Sequence, residues 1–253
     1  MAIDFTEPDL VAIYDAVNPI EEYAAFYTGL AGKLKAKKII DLGCGTGLLT
    51  HEFVKQGHTV IGIEPAVRML ERAKQKYGEE AEWVIGSSEA LRTDMQADLA
   101  VMTGHVAQFF LEEDSWKQAL HNICRSLKPG GYLAFESRNP LVKPFADWPT
   151  PSHHSHIPDT PLGPVERWPD NVHYADGYAD YEINYLFTTL CNRLVSGNRL
   201  RFRSKQALVA SLQDAGFTIE HIYGDWSGEP YIAESPEMIF VAKATGSDTI
   251  ATK

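Results

Sequence analysis

The sequence predicts an α/β protein with a mainly parallel sheet, helices on both faces, and a small antiparallel β cap. Three observations lead there. Between residues 38 and 138, apolar strand-like runs alternate with runs of helical period, the pattern of consecutive βαβ units. The first strand breaks into a glycine-rich turn, "IIDLGCGTG", directly before a helix, and such turns hold nucleotide-like ligands. After Asn139 both periods give way to a proline-dense stretch, then to segments rich in β-branched and aromatic residues.

Taken in order, "LVAIYDAV" and "IEEYAAFYTGLAGKL" read as two short helices, with Tyr23, Phe26, Tyr27, Leu30 and Leu34 at helical spacing. Pro19 disfavours helix at Asn18 and separates them. "KKIIDLGC" is the first strand and "GLLTHEFVKQG" a helix stopped by Gly57. "HTVIGIEP" and "AVRMLERAKQKYG" repeat the unit, with Gly78 as the stop, and "AEWVIGS" is a third strand. "ADLAVMTG" is a fourth strand, "EDSWKQALHNICRSLKPGG" a helix ended by Pro129-Gly130-Gly131, and "YLAFESR" a fifth strand. Right-handed crossovers place the strand C-termini, and the ligand crevice with them, along one edge.

The following "NPLVKPFADWPTPSHHSHIPDTPLGPVERWP" has neither period and reads as a long loop. "YADYEINYLFTTLCNRLVSGNRLRFR" reads as two antiparallel strands. "SKQALVASLQDAGF" returns to helix with Ser204 as cap and Gly216 as stop, followed by closing strands "TIEHIYGDW" and "EMIFVAKA". This divides the chain into a core of residues 1–140 and 204–245, a cap of residues 141–203, and a disordered tail at 246–253. Within the core, residues 1–37 form helices over the ligand site.

The chain carries a net charge of −11, with no obvious cluster of bases. A surface of that sign repels phosphate backbones and disfavours nucleic acid as a partner, leaving a small molecule as the expected one. No apolar run approaches the roughly 20 residues that span a bilayer, and "MAIDFTEPDL" lacks the basic start of a secretory signal, so a cytoplasmic protein is expected. Cys44, Cys124 and Cys191 are far apart and form no C-x-x-C pair, which indicates free thiols. His153, His154 and His156 are concentrated, but no matched second pair of ligands follows, so no metal site is expected.

Which ligand the glycine turn holds depends on its spacing. Gly43, Gly45 and Gly47 form G-x-G-x-G, and Leu48 stands where the dinucleotide fingerprint puts its third glycine. That disfavours a nicotinamide oxidoreductase. Glu64, ending the second strand, offers two acceptor oxygens for a ribose.

Read jointly, "DLGCGTG", "GIEPAVRMLERA", "GSSEAL", "ADLAVMTGHVAQFF" and "LKPGGYLAFESRNP" resemble, in order and spacing, the motifs of class I S-adenosylmethionine-dependent methyltransferases. The resemblance covers about residues 38–140, and the closing helix and strands are similar as well. It implies a Rossmann-like, seven-stranded sheet with its last strand antiparallel. It implies S-adenosylmethionine as cofactor and S-adenosylhomocysteine as product, with methyl transfer to the O or N of a small molecule. Gly43, Cys44, Gly45 and Gly47 would line the methionine part, Glu64 would hold the ribose, and Pro65 and Met69 would flank the adenine. Ser87 and Ser88 would lie at the adenine edge, and Thr103, Gly104 and His105 near the sulfonium. Tyr14, in "IYDAVNP", would reach the cofactor carboxylate or the mouth of the site. Where the family often has Gly-Asp after the third strand, this chain has Gly86-Ser87, a weaker partner for the adenine amino group.

His105 is the candidate general base, because it follows the fourth strand at the crevice edge and imidazole accepts protons near neutral pH. Gln108, Arg138, Trp148, His173, Tyr174 and Tyr185 are the substrate candidates. Arg138 suits a carboxylate, although a pairing with Glu136 or Asp147 competes with that role. A tRNA or protein methyltransferase and a non-enzymatic S-adenosylmethionine-binding module remain as rivals. The sequence leaves the oligomeric state open.

Overall fold

A computed structural model describes residues 2–150 and 153–245. Seven strands form the main sheet: β1 (Lys38–Leu42), β2 (Thr59–Glu64), β3 (Glu82–Ile85), β4 (Ala97–Met102), β5 (Leu127–Arg138), β10 (Phe217–Tyr223) and β11 (Glu237–Ala244). Their order is β10-β11-β5-β4-β1-β2-β3. β11 runs antiparallel to both β10 and β5, and the other neighbouring pairs are parallel. Strand order reverses between β1 and β4, which in an open α/β sheet is where a ligand crevice opens.

Alternation along the strands fills both faces. Ile40, Leu42, Leu133 and Phe135 point to α5 (Glu113–Ser126) and α6 (Lys205–Asp214). Ile39, Leu99, Val101 and Ala134 point to α2 (Glu21–Lys33) and α3 (Leu48–Lys55). α5 buries Trp116, Ala119, Leu120 and Ile123, a stripe at helical spacing. The Trp116 indole N–H donates to Ser211 Oγ on α6 at 2.9 Å. α4 (Val67–Tyr77) completes the βαβ succession and ends at Gly78, and Ser204 caps α6 by accepting from the Ala207 N–H at 3.2 Å.

α1 (Pro8–Val17) stops before Asn18 and Pro19, as Pro19 requires. It is packed on two sides. Leu10, Ile13 and Val17 are buried against Val165, Ile183, Tyr185 and Phe187 of the cap. Val11 meets Ala66 and Met69 at the start of α4.

The structure corrects two expectations about elements. The Pro129-Gly130-Gly131 run does not stop a helix: α5 ends at Ser126, and Leu127 already begins β5. The register slips between Ala97 and Leu99, so the extra residues bulge out of the β4–β5 ladder. The cap is also larger than one hairpin. It is a four-stranded antiparallel sheet of β6 (Ser155–Ile157), β7 (Val165–Ala175), β8 (Tyr178–Phe187) and β9 (Asn192–Arg201). β7 lies partly in the stretch read as loop and holds Pro169. β6 pairs only with Val165 to Arg167, so β7 is an edge strand at Pro169, where a missing N–H is tolerated. Pro151, Ser152 and the expected tail at 246–253 lie outside the described residues. Among the described residues, no helix is long and apolar enough to cross a membrane.

Candidate active site

The turn after β1 is tied to β2 by two bonds, from the N–H groups of Gly43 and Cys44 to the Ile63 carbonyl at 2.7 and 3.1 Å. Gly43 has φ +82, and a Cβ there would sit 2.5 Å from a methyl of Val106. Gly47 has φ +80 at the start of α3, and its missing Cβ makes room for the Trp83 ring. Gly47 therefore shapes the turn by packing and is not on the cavity wall.

Glu64 at the end of β2 is buried and accepts from the Gly45 N–H at 3.0 Å and the Ala66 N–H at 2.8 Å. Burial pushes its carboxyl pKa up, and the two N–H donors oppose the shift. Asp41, just before the glycines, accepts the Thr50 hydroxyl at 2.6 Å through one oxygen. Its other oxygen is buried with no partner, and burial pushes its pKa up to about 7. A buried acceptor left open requires an explanation, and an incoming donor supplies one. From α1, Asp15 accepts from the Thr46 hydroxyl and pairs with Lys76 of α4 at 2.6 Å. That clasps the helix onto the glycine turn.

β4 delivers Thr103, Gly104 and His105 to the same edge. His105 holds a left-handed backbone, φ +63, uncommon for a residue with a Cβ. Its N–H donates to Glu136 at 2.7 Å, and its Nε2 lies 3.0 and 3.1 Å from the two oxygens of Glu237 on β11. Glu136 is fully buried and also accepts the Tyr27 hydroxyl from α2. Burial raises its pKa against the pull of His105 and the Tyr27 hydroxyl. Tyr27→Phe would leave a buried carboxylate short of a donor. We expect a loss of about 1–3 kcal/mol, read as a lower urea midpoint with an unchanged slope.

These groups open onto one cavity of about 1450 Å³, above the roughly 300–1,000 Å³ of ordinary ligand pockets. Of the predicted cofactor residues, Tyr14, Gly43, Cys44, Gly45, Glu64, Pro65 and Met69 line it. So do Ser87, Ser88, Thr103, Gly104 and His105. Of the substrate candidates, only Arg138 is on this wall. Gln108 is buried behind it and accepts from Arg138 Nη1 at 3.0 Å.

The structure gives the remaining candidates other positions. Tyr185 is buried between cap and α1, its hydroxyl donating to Asp4 at 2.5 Å. Tyr174 stacks on Phe145 at 3.8 Å, Trp148 packs on Tyr181, and His173 is exposed on β7. The cavity is lined instead by Phe109, Phe110, Asn198 and Arg199. Among the described residues, no group of three or more His, Cys, Asp or Glu side chains is placed to hold a metal ion. His154 lies 3.4 Å from Glu166, and the three cysteines are free.

Sequence reading passed over Asp41 and Glu237. Asp41 stands two residues before the first glycine, which was signal enough. Glu237 lies 132 residues from His105 and only strand pairing reveals it.

Residues 39–131 match the family model described as a methyltransferase domain. The cypemycin N-terminal methyltransferase of a Streptomyces species is 28% identical over 219 residues, spanning 82% of this chain and 83% of that protein. Among solved structures, the CcbJ methyltransferase from Streptomyces caelestis superposes with TM-score 0.76 at 18% identity, over 90% of this chain and 91% of that one. The S-adenosylmethionine-bound amino pentose methyltransferase CalS10 from Micromonospora echinaspora gives 0.71 at 18% identity, over 92% and 94% of the two chains. These matches support a class I S-adenosylmethionine-dependent methyltransferase. The match to other curated methyltransferases covers about half of their length.

The residues of this site fit the cofactor of that family. The open oxygen of Asp41 suits a cationic amino group, and the two-oxygen acceptor of Glu64 suits a ribose diol. Glycine at 43 and 45, both at positive φ and both lining the cavity, leaves backbone rather than side chain exposed there.

Proposed function

We propose that this methyltransferase transfers the methyl group of S-adenosylmethionine to an oxygen or nitrogen of a small-molecule acceptor, with His105 as general base. The observation that carries the reading is His105, held by Glu237 on β11, on the wall of a cavity that the glycine turn also lines. In this reading Asp41 and the glycine turn hold the methionine end, Glu64 the ribose, and Pro65, Met69, Ser87 and Ser88 the adenine side. Tyr14 covers the site from α1.

The cofactor supplies a methyl group on a sulfonium, a strong electrophile with a good leaving group. The chain then has three tasks: to position the acceptor in line, to exclude water, and to take the acceptor's proton. Positioning alone supplies much of the rate. His105 serves the proton step: with Glu237 fixed on Nε2, one ring nitrogen is oriented and the other is free to accept.

Calorimetry with S-adenosylhomocysteine tests the cofactor half. Glu64→Gln is expected to weaken binding at least tenfold, because an amide nitrogen would face either the Gly45 or the Ala66 N–H and one acceptor would be lost. Wild-type protein that binds neither S-adenosylmethionine nor S-adenosylhomocysteine would sink the proposal. The acceptor half calls for a screen of metabolite pools for S-adenosylhomocysteine release, with products one CH2 heavier identified by mass.

A further inference from the structure

Arg138 ends β5 and faces the cavity. Two neutral groups hold its guanidinium. Nη1 donates to Gln108 Oε1 at 3.0 Å, and the guanidinium carbon lies 5.6 Å from the Trp148 ring. Gln108 is itself anchored, its amide donating to the Arg201 carbonyl at 3.4 Å. The side chain is therefore aimed rather than loose.

Among the described residues, no carboxylate lies within 4.0 Å of this guanidinium. Asp147 makes no ion pair with it, and the two acids nearest in the sheet are engaged elsewhere. Glu136 faces Tyr27 and the His105 N–H, and Glu237, opposite Arg138 in the β5–β11 register, is bound to the His105 ring. The other arginines near this wall have acids of their own. Arg199 has Asp180 at 3.5 Å, while Arg201 and Arg203 share Glu113 at 3.5 and 3.1 Å. Arg138 is thus a half-buried cation with an unneutralised charge and N–H donors to spare. Such a group binds an anion well, since the cost of its partial desolvation is already met.

Resting on the methyl-transfer reading above, we infer that the methyl acceptor carries a carboxylate held by Arg138. The planar guanidinium matches the two oxygens of a carboxylate. The phenyl rings of Phe5 and Phe109, edge to face at 5.7 Å on the same cavity wall, offer an apolar surface for the body of the molecule. His105 and Arg138 then divide the work: one takes the proton from the nucleophile, the other fixes the far end.

The test uses full-length protein saturated with S-adenosylhomocysteine and ligand-observed NMR. The probes are hydroxybenzoates, aminobenzoates and short hydroxy and amino alkanoates, each beside its primary amide. Carboxylates should bind at least tenfold tighter than their amides, and Arg138→Gln should abolish that margin. S-adenosylhomocysteine affinity should stay within twofold in the variant, which shows that it is folded. The inference is overturned if no carboxylate beats its amide, or if the margin survives in Arg138→Gln. Wild-type protein that fails to bind S-adenosylhomocysteine removes the methyl-transfer reading as well. Cofactor binding without a carboxylate margin removes this inference alone.

Discussion

His105→Gln is expected to lower kcat about 100- to 10,000-fold, the range for loss of a general base, with S-adenosylhomocysteine affinity nearly unchanged. Glutamine keeps roughly the size of the ring and can still donate to Glu237, but it cannot take a proton at neutral pH. The backbone contribution survives, because the Glu136 carboxylate holds the N–H of residue 105 whatever its side chain. Initial rates of S-adenosylhomocysteine release with an identified acceptor read the effect, and an unchanged kcat would exclude His105 as the base. Glu237→Gln should cost less, about tenfold. The ring loses its ionic orienter yet stays at the cavity wall, since φ at residue 105 and the bond to Glu136 are set independently.

Asp41→Asn should make the ligand-free protein more stable at pH 8 while weakening its grip on the cofactor. Burial, as the leading cause, pushes the Asp41 pKa in the folded state up to about 7 from the ordinary carboxylate value of 3.8. Between these values the folded protein holds a proton that the unfolded chain has released. Stability is greatest below the unfolded pKa and declines as pH rises through the folded one. A displacement of about three units corresponds to roughly 4 kcal/mol. The asparagine amide lacks an acceptor in the same pocket, which returns about 1–3 kcal/mol of that gain. Melting temperatures at pH 5 and pH 8 give the comparison. The wild type should lose stability across the interval, and the variant should lose much less. Equal pH dependence in both would show that the carboxyl stays ionised. Cofactor affinity should move the opposite way, because the variant has no negative oxygen to offer a cationic amino group.

The alternation of strand and helix from residue 38 to residue 138 was legible, because the elements there show their own periods and α3 and α4 each end at a glycine stop, whereas the end of α5 was misplaced. The glycine turn was legible because the positive φ of Gly43, Gly45 and Gly47 admits few other residues, and Glu64 because it ends the strand beside that turn. Two kinds of information were not local. The strand status of Val165–Ala175 depends on β8 pairing along its length, which outweighs the effect of Pro169. Glu237 and Asp15 reach the site through strand pairing and helix packing over long stretches of sequence. The tyrosines and tryptophan of the cap misled for a plain reason. Aromatic side chains on a strand look the same in sequence whether they face a ligand or one another, and Tyr174 and Trp148 face other rings.

The position of α1 has a consequence for how such a protein can diverge. Its Leu10, Ile13 and Val17 belong to the packing of the β7–β8 sheet, Asp4 takes the Tyr185 hydroxyl, and Asp15 on the same helix holds Thr46 and Lys76. The cap is therefore not a self-contained cassette. A chimera that imported residues 141–203 alone would inherit a sheet with no matching helix beneath it. The unit that evolution or an engineer can exchange intact is discontinuous: the first seventeen residues travel with the cap, although more than a hundred residues of sheet and helix separate them in the chain.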